Sequence, residues 1–368
     1  MAGRPRFDRR RPHDSLPKLP PRQGLETPRV LKAVIAASRA LAEFKGIGLA
    51  VPGSTQALVR SIAVQEAKSS SEIEAIVTTN DALYQAVGSA DAARDPVVKE
   101  VVNYLDAVWL GHRRLRAGRR LDRALFVELA SVVRGEPVEV RRGPGTRVGN
   151  PVTGEVLYTP PQGAETIDAL LDDLAAYYAM DDGVDPLVKM AVAHYQFEAV
   201  HPFRDGNGRT GRILNVLYLV QQGLLAEPVL FLSRAIIETK AEYYARLLAV
   251  TEEGAWEDWV LYMLGAVARS GRAFGEMLGQ IPPAIEDASE VARADMRTGY
   301  SDALLRLVFQ QPATRIAHVV EAGIAKRRTA SLQLRELERI GILESVKRGR
   351  DVLYINRRLI DILGGGAQ

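Results

Sequence analysis

The sequence predicts a mostly α-helical protein: a helical domain around one buried helix–loop–helix corner, a small β-hairpin flap beside it, and a compact C-terminal unit of short helices and a hairpin. Three observations carry that expectation. Residues 187–200 (LVKMAVAHYQFEAV) and 213–220 (ILNVLYLV) are apolar nearly all round, which marks helices buried at the centre of a domain. Residues 141–161 (RRGPGTRVGNPVTGEVLYTPP) frame two short β-prone pieces with turn residues around Thr153-Gly154. From about residue 295, short stretches with apolar residues at helical spacing give way to two strand-like runs.

With 368 residues, 47% of them hydrophobic, the chain can bury a substantial core and hold more than one domain. It has no cysteine, which excludes disulfides, thiolate metal sites and a thiol nucleophile. A formal net charge of +3 is too slight to decide a partner. No run is long or apolar enough to span a membrane, and the opening MAGRPRFDRRRP lacks the apolar stretch of a signal peptide. The expected location is therefore cytoplasmic, with no membrane partner.

Residues 1–23 are basic and proline-rich, so an extended or disordered arm is expected there. Residues 24–110 read as a helical region. Within it, 54–76 (STQALVRSIAVQEAKSSSEIEAI) opens with an N-cap-like Ser54-Thr55 and reads as one helix. Glu66, Ser70 and Glu74 recur every four residues and share a face, which on spacing alone is a solvated polar stripe. Residues 111–285 hold the core hairpin, and 295–368 form the C-terminal unit.

The corner between the two apolar helices, residues 201–212, reads HPFRDGNGRTGR and concentrates the chemistry. His201 is a base with an ordinary pKa near 6.5. Asp205 offers the hard oxygen that Mg²⁺ prefers, and Gly206, Asn207 and Gly208 let backbone N–H groups approach an anion. Arg209 and Arg212 fall three apart on the helix that begins here, whose N-terminal dipole adds to the anion site. Each residue has an ordinary structural reading as a cap, turn or solvated face; a basic, glycine-rich loop set between two apolar helices is what joins them into a site.

The loop resembles the signature of the Fic family, His-Pro-Phe-x-Asp/Glu-Gly-Asn-Gly-Arg-x-x-Arg, at every fixed position. The approach AHYQFEAVHPF, residues 228–233 (PVLFLS) and residues 243–264 (YYARLLAVTEEGAWEDWVLYML) are similar to that family too, so the resemblance spans most of residues 25–275. It implies a Fic-type helical domain that transfers AMP from ATP to a hydroxyl side chain of a target protein, with Mg²⁺. In that scheme His201 is the general base and Asp205 holds the metal. Gly206, Asn207 and Gly208 line the anion hole, and Arg209 and Arg212 neutralise the triphosphate, Arg212 at its γ end. Phe203 packs the loop. Tyr243 and Tyr244 are adenine contacts by resemblance, with core packing expected for at least one. Relatives that phosphorylate their targets carry lysine where this chain has Gly208, which favours nucleotide transfer.

The resemblance also changes the reading of the polar face upstream. Ser70 to Glu74 is similar to the inhibitory pattern Ser/Thr-x-x-x-Glu-Gly/Asn, which implies that Glu74 pairs with Arg212 and displaces the γ-phosphate. This chain departs from the pattern at Ala75, where the family has Gly or Asn, so the inhibitory helix is expected to end differently and to restrain less. The hairpin in 141–161 corresponds to the family's flap, which pairs with an extended segment of the target.

The C-terminal unit is expected to contain helices at 301–310, 314–322 and 328–340 and strands at 342–346 and 352–355, around the turn Lys347-Arg348-Gly349-Arg350-Asp351. It resembles a winged helix-turn-helix. Lys326, Arg327, Arg328, Arg335, Lys347, Arg348 and Arg350 would then face DNA, although such units also serve as protein-binding modules. Besides adenylyl transfer, two readings stay open: a DNA-binding regulator with a nucleotide-sensing core, and an enzyme that also removes AMP by a Glu74-activated water. Auto-modification and a homodimer are further expectations of the resemblance.

Overall fold

The two apolar stretches of the sequence, 187–200 and 213–220, form buried helices. The computed structural model describes residues 7–50, 56–87, 95–149, 155–230, 232–297, 299–348 and 351–365. Helices α1 (Pro28–Ala50), α2 (Gln56–Ile73), α3 (Asn80–Val87), α4 (Pro96–Arg116) and α5 (Arg123–Arg134) precede a small hairpin, β1 (Val148–Gly149) and β2 (Val156–Tyr158). Next come α6 (Ala164–Ala179), α7 (Pro186–Val200), α8 (Asn207–Gln221), α9 (Leu232–Ile237), α10 (Lys240–Glu253), α11 (Trp256–Gly279) and α12 (Ile281–Asp295). The chain continues through α13 (Asp302–Val308), β3 (Ala313–Thr314), α14 (Ile316–Glu321), α15 (Arg327–Arg339), β4 (Glu344–Arg348), β5 (Asp351–Ile355) and α16 (Arg357–Gly364). Among the described residues no helix is long and apolar enough to cross a membrane.

Two compact units form, and neither is continuous in sequence. The first comprises Met1–Ala42, Ser69–Ile76 and Asn103–Gly271; the second comprises Glu43–Lys68, Val77–Val102 and Arg272–Gln368.

In the first unit α7 packs against α8 and α6, and α5 against α8. Pro186 at the first position and the Asp185 carboxylate, which accepts from Leu187 N at 2.8 Å, start α7 as caps should. Phe126, Phe197, Phe203 and Trp259 are fully buried around these helices. Trp259 is tied down by its indole N–H, which donates to Ala191 O at 2.7 Å. The flap strands pair antiparallel, Val148 opposite Tyr158 and Gly149 opposite Val156; Thr153-Gly154 lies outside the described residues.

Residues 7–23, for which an extended or disordered arm is expected, are irregular, with turns at residues 9–10 and 14–15, and are tied to this unit. Leu16 and Leu19 are buried, Asp173 accepts from Leu19 N at 2.8 Å, and Gln196 donates to Pro17 O at 3.1 Å. Two leucines among the prolines supply the apolar anchor that composition alone hides.

The second unit carries a three-stranded sheet in the order β3-β5-β4. Strands β4 and β5 form the expected hairpin, but β4 lies two residues later and the turn is shorter than expected, since Lys347 pairs with Val352 and Arg348 with Asp351; Gly349 and Arg350, and the Arg348 side chain, lie outside what is described. β3 and α16 were not foreseen. β3 is only two residues long, too short for an alternating pattern, and α16 is announced only by Asn356, whose side chain accepts from Leu359 N at 3.0 Å. Arg357 bridges Asp81 and Glu344 and so links α3 to this sheet within the unit.

Candidate active site

Helix α7 ends at His201 in a left-handed conformation (φ 47°, ψ 60°), which turns the chain sharply away from the helix axis. A non-glycine residue at positive φ stores backbone strain of about 1–2 kcal/mol, and such residues cluster at functional sites. The return into α8 begins at Gly206 (φ 80°), a conformation that suits glycine.

Asn207 fixes the loop between these points. Its Oδ1 accepts from Phe203 N and its Nδ2 donates to Phe203 O, each at 2.8 Å. The Asn207 side chain is thus spent on bracing the loop, which leaves the residue its backbone N–H for the anion position. The first-turn N–H groups of Asn207 and Gly208 have no intrahelical carbonyl to meet, which makes this helix start a seat for negative charge. Thr210 closes the turn, its N and Oγ1 both donating to Gly206 O.

His201 is partly exposed, and burial followed by the Arg141 charge pushes its pKa down to about 4. The nearby Glu198 carbonyl favours the charged form only slightly and does not reverse that shift, and a neutral imidazole keeps one ring nitrogen as an acceptor. The imidazole is therefore neutral at pH 7, more firmly so than the ordinary value suggests.

Asp205 is 59% exposed at its side chain. Oδ1 accepts from Gly206 N at 2.6 Å and lies 3.9 Å from Arg209 Nη2, while Oδ2 pairs with Arg134 at the end of α5. Among the described residues no cluster of three or more His, Asp or Glu side chains forms a ready metal cage. A single carboxylate is nonetheless what Mg²⁺ takes when phosphates and water complete its shell.

Arg209 and Arg212 are each 1% exposed. Arg212 donates from Nε to Ser70 Oγ at 2.8 Å, and from Nη2 to Ser70 O at 2.9 Å and Glu74 Oε1 at 3.0 Å. Burial alone would lower the Arg212 pKa, but Glu74, with Tyr243 and Glu198, holds it above the ordinary arginine value. Glu74 also sits over Gly208: a Cβ there would fall 2.3 Å from Glu74 Oε1.

The structure brings Ser70 and Glu74 to the site, but not on one helical face as spacing implied. α2 stops at Ile73, and Glu74 lies in the turn beyond it. That turn is closed by Glu74 N and Ile76 N donating to Ser71 O and Ala75 N to Glu72 O, each at 3.0 Å. Lys240 caps the helix end by donating to Ile73 O at 2.6 Å. Ala75 takes φ 64°, the left-handed conformation that favours glycine or asparagine.

The two tyrosines separate. Tyr243 is buried, its hydroxyl 2.9 Å from His194 Nε2 and its ring beside Trp259 and Tyr262, so it packs the core and does not present itself to a ligand. Tyr244 is 39% exposed and lies within the electrostatic reach of Glu74 and Arg212.

Three residues escaped the sequence analysis. Arg141, buried, donates from Nε to His201 O at 2.7 Å and from Nη2 to Pro161 O at 2.6 Å and Val200 O at 2.9 Å. It satisfies the last carbonyls of α7 and ties the flap to the loop. Arg134 shares Asp205. Glu198 has its pKa raised to about 7 by burial, and its Oε1 would lie 2.5 Å from a Cβ on Gly211. A lone carboxylate in an apolar helix was the signal for Glu198; nothing in the sequence distinguishes Arg141 from its neighbour Arg142.

Comparison with known proteins follows the same lines. Residues 31–113 match the family described as Fic/DOC family N-terminal, and residues 285–359 match the one described as protein adenylyltransferase SoFic-like, C-terminal domain. Protein adenylyltransferase fic-1 of Caenorhabditis elegans is 38% identical over 116 residues, covering 30% of this chain and 20% of that protein. A probable protein adenylyltransferase of Aquifex aeolicus is 34% identical over 111 residues, covering 30% of this chain and 32% of the relative. The chain thus spans at most about a third of the curated relatives' length. A Fic family protein from Desulfovibrio desulfuricans has a similar fold, with a TM-score of 0.56 at 19% identity over 91% of this chain and 98% of that one. Residues 134–508 of C. elegans Fic-1 superpose with a TM-score of 0.50 at 21% identity, over 69% of this chain and 73% of that one.

Proposed function

The chain belongs to the Fic family, and from that premise we propose that it is a protein adenylyltransferase, moving AMP from ATP to a Ser, Thr or Tyr hydroxyl of a target protein under restraint by Glu74. One observation carries the reading: a neutral, partly open His201 ends one buried helix while the next begins as an anion seat backed by buried Arg209 and Arg212.

In this reading the triphosphate lies along the start of α8, against the Asn207 and Gly208 N–H groups, with its γ end at Arg212. Asp205 would hold Mg²⁺, which when bound would supply charge neutralisation to the phosphates. The target hydroxyl oxygen bonds to the α-phosphorus as the bond to the bridging oxygen of pyrophosphate breaks. The hydroxyl proton passes to the free nitrogen of His201. Arg141 positions this base through its carbonyl. Tyr244, at the open side, contacts the adenine. Because Glu74 takes the Arg212 Nη2 that the γ-phosphate needs, the enzyme rests restrained.

Intact-mass analysis after incubation with ATP and Mg²⁺ tests this on wild type, Glu74→Gly, and Glu74→Gly with His201→Ala. An AMP-sized adduct that grows in the single variant and vanishes in the double supports the reading, through auto-modification. If Glu74→Gly also loses removal of AMP from a pre-modified protein, the same site works in both directions. ATP binding without an adduct on this chain or any added protein refutes adenylyl transfer.

A second reading concerns the C-terminal unit. Lys326, Arg327, Arg328 and Arg335 are exposed on or beside α15, and Lys347 on β4, which supports DNA contact by a winged helix-turn-helix. Binding that weakens steeply with salt and is lost on Arg328→Glu with Arg335→Glu would support it; salt-insensitive or absent binding would reject it.

A further inference from the structure

We infer that the target segment this chain accepts is acidic, selected by arginines around the flap that have no side-chain partner among the described residues. The inference rests on the proposed adenylyl transfer and on the flap as the edge that receives the target.

The hairpin offers one edge. Beside β2, the Phe7 ring stacks on Tyr158 at 6.1 Å, His13 N donates to Thr159 O at 3.0 Å, and Thr159 Oγ1 donates to Arg9 O at 2.7 Å. Residues 7–13 thereby cover that side. Strand β1 pairs with β2 alone among the described residues, so the outer edge at Val148–Gly149 remains for an extended peptide.

Arginines flank that edge. Arg147 directly precedes β1, and Arg142 lies upstream; both are exposed. Arg141 N donates to Pro202 O at 2.9 Å, which runs this stretch alongside the motif loop and its exposed Arg204. Arg10, also exposed, follows Arg9, whose Nη1 reaches Glu155 of the flap at 3.5 Å.

Other arginines of the same loops are neutralised: Arg9 by Glu252 and Glu155, Arg11 by Asp8, Arg134 by Asp205 and Glu136. Arg10, Arg142, Arg147 and Arg204 have no side-chain ion pair or hydrogen bond among the described residues. The loop carboxylates are already engaged by those pairs, or by Gln162 N in the case of Asp14, which leaves Glu139 as counter-charge. The field over the peptide edge is therefore positive, and it would steer and hold aspartate or glutamate beside the modified hydroxyl. A peptide also supplies main-chain groups for β1, which a nucleic acid does not.

The test is fluorescence anisotropy of short labelled peptides with the full chain: one serine flanked by Asp and Glu, and the same peptide with Lys in their place. The acidic peptide should bind about ten-fold tighter at low salt, with the advantage shrinking as salt rises. The Arg142→Glu, Arg147→Glu double variant should lose it, and Arg147→Glu alone should reduce it. Equal affinity for the two peptides, an acidic preference that survives the double variant, or tighter binding of an oligonucleotide than of the acidic peptide would overturn the inference. AMP transfer to the same peptides by Glu74→Gly is read alongside; acid-selective binding without transfer would sink the adenylyltransferase reading and uphold the surface.

Discussion

Ala75 gives the proposed restraint by Glu74 a measurable weakness. Its φ of 64° places an alanine where the Cβ crowds the following carbonyl, at a cost of about 1–2 kcal/mol relative to a residue without Cβ. Ala75→Gly removes that strain, but glycine also gains freedom when the turn opens, which returns roughly 0.4–1 kcal/mol. The net gain for the closed turn is about 0.5–1 kcal/mol, or roughly a two- to five-fold shift in population at room temperature. Basal AMP incorporation, followed as adduct formation over time with ATP and Mg²⁺, should fall by about that factor in Ala75→Gly. Ala75→Asn, which tolerates the left-handed region, should fall between. In a Glu74→Gly background the same change should have no effect, since no carboxylate remains to be held. A rate unchanged or raised by Ala75→Gly with Glu74 intact, or an equal fall without Glu74, would refute the argument that turn strain sets the strength of the restraint.

Other consequences are equally direct. Asn207→Ala removes both hydrogen bonds to the Phe203 backbone and should cost about 2–3 kcal/mol, seen in denaturant unfolding, with loss of transfer; unchanged stability would mean the clamp is dispensable. Arg141→Lys cannot reach the Val200, His201 and Pro161 carbonyls together, and should lower stability by about 2 kcal/mol; a wild-type melting curve would contradict its bracing role. With the His201 pKa held at about 4, the neutral base persists as pH falls, so transfer by Glu74→Gly should stay level between about pH 8 and 6. An acid limb centred near the ordinary value of about 6.5 would show that burial does not set this base.

What the sequence revealed depended on how local each signal was. The motif is contiguous, so spacing alone assembled His201, Asp205, Arg209 and Arg212, and two apolar flanks predicted their burial. Arg141 was invisible because its partners are main-chain carbonyls some sixty positions away along the chain, which no side-chain pattern records. The end of α2 falls a few residues before the expected one although helical propensity continues through Glu74-Ala75-Ile76; the Lys240 ammonium donating to Ile73 O and the bonds to Ser71 O decide it instead. Asn207 is expected at the anion hole through its backbone N–H, and only the folded loop shows its two side-chain polar atoms consumed by Phe203.

Under the proposed restraint by Glu74, its placement beyond the helix has a consequence for how the site would wake. Ser70 stands on α2 and contributes two of the contacts to Arg212, whereas Glu74 contributes one from the turn. Unwinding that single turn would withdraw the carboxylate while the guanidinium stays aimed by the serine. Activation then needs no helix to travel: it is a local fraying event, of the low-cost kind that proteins sample continually, and the arginine it frees is already pointing where a phosphate would arrive.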